Sequence, residues 1–242
     1  MNNLTTDTRI YGLVGHPLGH SFSSTFFNEK FTREGINARY VNLDMESVTG
    51  LRAFIEAHPE IVGLNVTIPH KRNVLPLMDE LGEEARATGA VNVICIDRSN
   101  GLRLIGQNTD CLGFGASLDA TGIPALAPKA LILGTGGASA AVAFEKRGID
   151  HLFVSRSEGH GRITYDSLHA NPEILRERTL IINATPLGTY PNVDGKPDLP
   201  YTQLTGSHLC MDLVYNPAVT AFMAAAAAQG SAVKNGLMML HE

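Results

Sequence analysis

The sequence predicts an α/β protein built as two domains. Short β-branched runs such as Ile61-Val62-Gly63-Leu64-Asn65-Val66-Thr67-Ile68 and Ala130-Leu131-Ile132-Leu133 alternate with segments of helical period. A glycine turn, Gly134-Thr135-Gly136-Gly137-Ala138-Ser139, joins one such run to a helix. Between the two patterns, Gly122 to Pro128 has the composition of a linker, which puts the domain transition along Gly106 to Pro128. A chain of 242 residues has room for both domains.

Composition excludes several classes. A net charge of -5, with Lys and Arg scattered, offers no basic surface for nucleic acid. No apolar run reaches the roughly 20 residues that cross a bilayer. The polar start Met1 to Asp7 lacks a basic and an apolar leader region, so a cytoplasmic protein is expected. Cys95, Cys111 and Cys210 are odd in number and far apart, which suits free thiols in a reducing compartment. None has metal-ligand spacing with another, and no metal is expected. Composition does not separate a monomer from a homodimer.

In chain order, Ile10 to Gly15 is a strand, and His16-Pro17-Leu18-Gly19-His20 is a loop. Pro17 and Gly19 argue against a helix there, so the two histidines are loop residues and not an i,i+4 metal pair. Ser21 to Thr25 opens a helix that turns Phe26, Phe27 and Phe31 inward and ends near Gly35. Free N–H groups and hydroxyls meet at its start, a place suited to a small carboxylate. Ordinary capping would need only one of Ser21 and Ser23. Tyr40 to Leu43 is a strand and Val48 to His58 a helix.

The strand Ile61 to Ile68 then stops at Pro69, and the period from His70 to Leu81 predicts a helix. Lys71 therefore sits at a strand-to-helix junction. Asn65, Thr67 and Lys71 bring an amide, a hydroxyl and an ammonium to the carboxyl end of a strand, where α/β sheets bind ligands. A lone lysine in such a place is more often a solvated charge; its company decides. Glu83 to Thr88 reads as a helix. Gly89 to Ile96 and Leu102 to Gly106 read as a hairpin around Asn100-Gly101. Asn92 interrupts the first of these strands, and a buried amide without partners costs roughly 1 to 3 kcal/mol. A bound ligand is one candidate partner. Asp110 starts a helix running to about Thr121, a usual capping position.

The turn after Leu133 has the physical logic of dinucleotide binding. Gly134 permits the bend, Gly136 lets a pyrophosphate approach the backbone, and the helix N-terminus faces the phosphates, with Ser139 in place of the third glycine. The next strand, His151 to Val154, ends in Ser155-Arg156-Ser157 instead of an acidic residue. That favours a ribose 2′-phosphate, hence NADP over NAD. Thr179 to Pro186 and Leu209 to Tyr215 are further buried strands, and Ala218 to Gln229 is a helix ended by Gly230.

Taken together, these blocks resemble the shikimate dehydrogenase family along nearly the whole chain. They are Gly15-x-Pro17-x-Gly19-His20-Ser21-x-Ser23, Asn65-Val66-Thr67-x-Pro69-x-Lys71, Gly89-Ala90-Val91-Asn92, Asn108-Thr109-Asp110, Gly134-x-Gly136-Gly137-Ala138-Ser139, Asn183-Ala184-Thr185 and Asp212-x-x-Tyr215-x-Pro217. Each is weak alone, and their shared order is specific. The resemblance implies reversible reduction of 3-dehydroshikimate to shikimate by NADPH in chorismate and aromatic amino-acid biosynthesis. It implies an N-terminal α/β substrate domain, 1–106 with 219–242 returning to it, and a C-terminal Rossmann-type NADP-binding domain, 107–218, facing each other across a cleft.

Carried over by motif, Lys71 and Asp110 are the catalytic pair. Ser21, Ser23, Thr67, Asn92, Asp110 and Tyr215 bind substrate. Gly134, Gly136, Gly137, Ala138, Ser139, Ser155, Arg156, Ser157, Thr185, Leu213 and Gly236 bind the cofactor. The chemistry suits those residue types, because an ammonium stabilises and protonates the alkoxide that hydride transfer creates, and serves as base in reverse.

The chain also departs from the family pattern. His16 and Ser24 stand where the family commonly has Asn and Pro, Ala140 where it often has Arg, Ser155 where Asn is usual and Met238 where glycine is usual. The family's glutamine after the Met-Leu pair would fall beyond Glu242. If the molecule ends at Glu242, loss of that contact is expected to weaken shikimate binding by roughly 0.5 to 1.5 kcal/mol and to spare NADP. Related readings are a quinate/shikimate or aminoshikimate dehydrogenase and, from another class, a non-catalytic NADP-binding regulator. Retention of both Lys71 and Asp110 weighs against the last, since a sensor needs no proton transfer.

Overall fold

The computed structural model describes residues 8–19, 22–122 and 129–240. The chain divides into two compact units, Met1–Thr109 and Asp110–Glu242.

The first unit is a six-stranded mixed sheet of β1 (Arg9–Gly15), β2 (Ala38–Asp44), β3 (Ile61–Val66), β4 (Glu80–Leu81), β5 (Val93–Asp97) and β6 (Arg103–Gln107), in the order β2-β1-β3-β5-β6-β4. β1 runs parallel to β2 and β3, which requires crossovers, and α1 (Phe22–Arg33) and α2 (Leu51–Ala57) supply them. One face buries Val14, Leu51, Ile55, Leu64, Val66, Ile94 and Leu104. On the other, Phe27 of α1 stacks on Tyr40 with ring centroids 4.8 Å apart. Asn28 fixes α1 to the edge strand. Its Nδ2 donates to Tyr40 O and its Oδ1 accepts from Tyr40 N, both at 2.9 Å, so edge groups that would face solvent are paired.

Two local expectations change here. No α-helix forms over 70–81. The chain makes turns through residue 74, a 3-10 turn at Leu75–Leu77, and β4. Pro76, at the start of the 3-10 turn, has no N–H to give to an α-helical ladder. Beyond it β6 captures the backbone, Asp79 N donating to Leu104 O at 2.8 Å and Gly82 N to Gly106 O at 2.9 Å. The strand expected from Gly89 begins only at Val93, after α3 (Glu83–Thr88) has ended on Gly89 at φ 60°. The hairpin between β5 and β6 is present, with Gly101 at φ 95° in its corner.

The second unit is entered along α4 (Thr109–Asp119). Its sheet contains β7 (Ala130–Leu133), β8 (His151–Ser155), β9 (Arg162–Thr164), β10 (Leu180–Asn183), β11 (Leu209–Asp212) and β12 (Ala232–Lys234), in the order β12-β11-β10-β7-β8-β9. Every pairing is parallel. Helix α5 (Ala138–Glu145) joins β7 to β8, α6 (Tyr165–Ala170) and α7 (Glu173–Glu177) lie between β9 and β10, and α8 (Ala221–Ala227) joins β11 to β12. Read from its far edge, the order is third, second, first, fourth, fifth, sixth, the doubly wound arrangement with a switch point between its first and fourth strands, β7 and β10. β7, β10 and β11 are buried along their whole length because apolar cores lie on both faces.

Residues 219–242 were expected to return to the first unit, and of these the structure describes 219–240. In the structure they complete the second. Phe222, Met223 and Ala226 of α8 pack into the core against β10 and β11, and β12 extends the sheet beside β11. The terminal turn Gly236–Leu240 lies against α4, where a Cβ on Gly113 would stand 3.1 Å from Met239 O. Thr220 caps α8, its Oγ1 accepting from Met223 N, so the helix starts at Ala221 instead of Ala218.

Candidate active site

In the first unit, the carboxyl ends of β1, β2 and β3 are stitched together. Thr67 N donates to Val14 O at 2.8 Å and His16 N to Ile68 O at 3.2 Å. Gly15 must be small, since a Cβ there would lie 2.5 Å from Thr67 Cγ2. Asp44, at the end of β2, accepts from Leu18 N at 2.9 Å and pairs with His16 Nδ1 at 2.6 Å. Those two partners, the Leu18 amide first, hold the Asp44 carboxyl below the usual aspartate range. His70, 1% exposed, meets Met45 O at 2.6 Å and anchors the turn that carries Lys71.

Lys71 is half-buried, and its carbonyl accepts from Val91 N at 2.7 Å. Asn92 O accepts from Val66 N at 2.8 Å. These bonds bring Thr67, Lys71 and Asn92 to one place at the end of β3. The amide of Asn92, 8% exposed, is tied to the start of α4, with Nδ2 donating to Thr109 Oγ1 at 2.9 Å and Oδ1 accepting from Thr109 N at 2.8 Å. Protein groups therefore meet much of the demand that suggested a ligand. Thr109 is followed by Asp110, in the first turn of α4. Neighbouring Asn108 is buried, donating to Thr88 Oγ1 and Ala90 O. Ser23 stands in the first turn of α1, at the same end of the parallel β1–α1–β2 unit as Thr67. Ser21 and His20 lie outside the described residues. The side chain of Asn65 is held from the other side, its Oδ1 accepting from Tyr40 Oη at 2.8 Å.

In the second unit, the turn after β7 is built on the end of β10. Gly134 has φ 89°, and a Cβ on it would lie 2.7 Å from Thr185 Cγ2. On Gly136 a Cβ would meet Ala184 O at 2.9 Å, and on Gly137 it would meet Ile132 Cγ2 at 2.3 Å. Ala138 and Ser139 then begin α5. A turn with three glycines around Thr135 at the switch point, running into a helix N-terminus, fits a pyrophosphate. One strand over, Ser155 is buried at the end of β8, and its hydroxyl donates to Ser157 O. That bond closes the turn and leaves Arg156 and Ser157 exposed, the arrangement an anionic ribose substituent requires. Leu213 and Gly236 meet: a Cβ on Gly236 would lie 2.4 Å from Leu213 O. Tyr215 is exposed on the loop after β11.

The sequence reading assigned no role to the buried polar group beneath this turn. Asp212, 1% exposed, accepts from Asn183 Nδ2 at 3.0 Å, Val214 N at 2.9 Å and Thr220 Oγ1 at 2.6 Å. Asn183 Oδ1 in turn accepts from Thr185 N at 3.0 Å and Thr185 Oγ1 at 2.6 Å. Burial pushes the Asp212 carboxyl up, and its three donors oppose that. A polar residue ending each of two otherwise apolar strands was the available signal. Among the described residues no cluster of His, Cys, Asp and Glu could hold a metal ion, and no helix is long and apolar enough to cross a membrane.

Fold and site define a dinucleotide-binding α/β protein with a separate domain bearing a lysine, an amide and hydroxyls at its strand ends. A family profile described as the shikimate dehydrogenase substrate binding domain matches residues 13–94. The shikimate dehydrogenase (NADP(+)) of Carboxydothermus hydrogenoformans is 35% identical over 97% of this chain and 88% of its own length. That of Salinibacter ruber is 37% identical over 99% and 90%. The crystal structure of shikimate 5-dehydrogenase from Thermus thermophilus, in complex with NADP(H) and shikimate, superposes with a TM-score of 0.80 at 30% identity, covering 96% of this chain and 88% of that one. The chain belongs to the shikimate dehydrogenase family.

Proposed function

We propose that this protein catalyses the reversible NADP-linked reduction of 3-dehydroshikimate to shikimate in the cytoplasm, where reducing conditions suit its free thiols Cys95, Cys111 and Cys210. The observation that carries the reading is the grouping of Thr67, Lys71 and Asn92 at the end of β3 in a chain that also has a glycine turn at a doubly wound switch point. The first unit supplies the substrate groups Ser23, Thr67, Lys71 and Asn92, and the family pattern adds Ser21, Asp110 and Tyr215. In the second, Gly134, Gly136, Gly137, Ala138 and Ser139 would hold the pyrophosphate. Arg156, on the turn closed by Ser155 and Ser157, would hold the 2′-phosphate, and Thr185, Leu213 and Gly236 would flank the remainder.

When bound, NADPH supplies the hydride that the ketone carbon accepts. The carbonyl oxygen gains negative charge, and the ammonium of Lys71 stabilises it and delivers the proton that makes it a hydroxyl. In the oxidising direction the neutral amine takes that proton back. Asp110 accepts a hydrogen bond from the reacting hydroxyl, which orients the O–H toward its base. The hydroxyls of Ser23 and Thr67 and the amide of Asn92 are neutral groups suited to a carboxylate and ring hydroxyls without a second full charge. The test is the NADP-linked absorbance change with shikimate, with quinate and without substrate, each repeated with NAD. Turnover with shikimate and NADP is expected to dominate. Turnover confined to quinate would reassign the substrate, and none with either acid would overturn the enzymatic reading.

A further inference from the structure

We propose that Asp212 is a positioning residue for cofactor binding, acting through Asn183 on Thr185 and, through the Thr185 methyl, on the Gly134 turn. The inference rests on the NADP-binding reading above and goes beyond it by naming what sets the turn's shape. The relay is continuous. Asp212 Oδ1 takes the amide of Asn183 at 3.0 Å, and Asn183 Oδ1 takes both the N–H and the hydroxyl of Thr185. Thr185 Cγ2 occupies the space over Gly134, 2.7 Å from where a Cβ would stand.

The other end of the relay is also fixed. Asp212 Oδ2 accepts from Thr220 Oγ1 at 2.6 Å, and that hydroxyl caps α8. Val214 N, beside Leu213, shares Oδ1 at 2.9 Å. One carboxylate thus orders the ends of β10 and β11 and the start of α8. Its three hydrogen-bond partners, Asn183 Nδ2, Val214 N and Thr220 Oγ1, all donate to it, which suits an ionised carboxylate. Asn183 cannot flip, since its oxygen is claimed by Thr185 and its amide by Asp212.

The relay makes Asn183→Asp diagnostic. The substitution keeps size and keeps an acceptor for Thr185, but sets a second carboxylate against Asp212 at the same 3.0 Å separation. Two such groups hold together only by sharing a proton. Among the described titratable groups on this side of the sheet, Cys210 has its pKa pushed up to about 12 by burial, and Tyr201, which feels the Asp212 charge, and Tyr165 are both raised by burial; none of these changes charge near neutrality. Asp198, whose charge acts on both tyrosines, is exposed.

The experiment is titration of the full chain with NADP+ and, separately, shikimate from about pH 5.5 to about pH 8, reading each variant's Kd as a ratio to wild type at the same pH. For Asn183→Asp, the NADP+ ratio is expected near unity at the acid end and to rise by up to about tenfold per pH unit once the shared proton is lost. The shikimate ratio stays flat. Asn183→Ala, which breaks the relay without adding charge, raises the NADP+ ratio equally at every pH and keeps the proposal testable should the acidic variant not fold. A flat NADP+ ratio for Asn183→Asp, wild-type NADP+ affinity in Asn183→Ala, or equal losses for NADP+ and shikimate each overturn the inference. Wild-type chain that does not bind NADP+ overturns the functional reading and this one with it. Wild-type binding with unresponsive variants overturns this one alone.

Discussion

Replacing Gly134 by Ala tests whether the turn after β7 is as tightly built as its geometry states. Two costs are separable. The residue has φ 89°, a left-handed conformation that costs an L-residue roughly 1 to 2 kcal/mol. The new methyl would also meet Thr185 Cγ2 at 2.7 Å, closer than Cβ atoms approach a neighbour, and Thr185 is held by two bonds to Asn183. Forcing it aside is an overpacking event of roughly 1 to 3 kcal/mol.

Gly148, in the same unit, isolates the first cost. It has φ 65° with nothing within 4 Å of a Cβ. Urea unfolding is expected to show Gly148→Ala destabilised by about 1 to 2 kcal/mol and Gly134→Ala by about 2 to 5 kcal/mol, at unchanged m. NADP+ titration should then show weakened binding only for Gly134→Ala. Equal destabilisation of the two variants would refute the claim that Thr185 props this turn, and unaltered NADP+ affinity in Gly134→Ala would remove the turn from the cofactor site.

Lys71→Ala is expected to lower kcat by about a hundred- to ten-thousand-fold with a smaller change in shikimate KM, since its main interaction is with the transition-state oxygen. Steady-state kinetics that leave kcat near wild type would remove Lys71 from the chemistry, and an Asp110→Asn loss confined to KM would make Asp110 a binding group only. Arg156→Ala should cut the preference in kcat/KM for NADP over NAD and leave turnover with saturating NAD unchanged, because charge-assisted bonds to the 2′-phosphate carry the preference; undiminished discrimination would exclude Arg156. Asp79 has its pKa lowered by the Leu104 amide and then by Arg52. A depressed carboxylate stabilises above its unfolded pKa and loses that contribution as pH falls through the folded one. The stability gap between wild type and Asp79→Asn should therefore be constant near neutrality and shrink below about pH 5, and a gap that widens in acid would contradict the assignment.

The sequence by itself determined the α/β class, the central strands and the place of the glycine turn. Strands buried on both faces must be apolar runs of a few residues, as Ala130–Leu133 and Leu180–Ile182 are, and a bend at positive φ all but requires glycine. Those are local demands, so they leave local marks. Motif order also determined the family, the lysine at the end of β3 and the arginine after β8. Tertiary structure alone decided the rest. β4, β9 and β12 are too short for a period to show, and each exists because a neighbouring strand offers it hydrogen bonds. The helical period over 70–81 lost to β6, which captured Asp79 and Gly82. Residues 219–240 stayed with the second sheet because Phe222 and Met223 found its core. Asn92 paired with Thr109, and Asp212 with Asn183 and Thr220. A buried polar group must be paired, and the requirement is readable in one residue, but the partner lies wherever the fold brings a complementary donor, at no fixed distance along the chain.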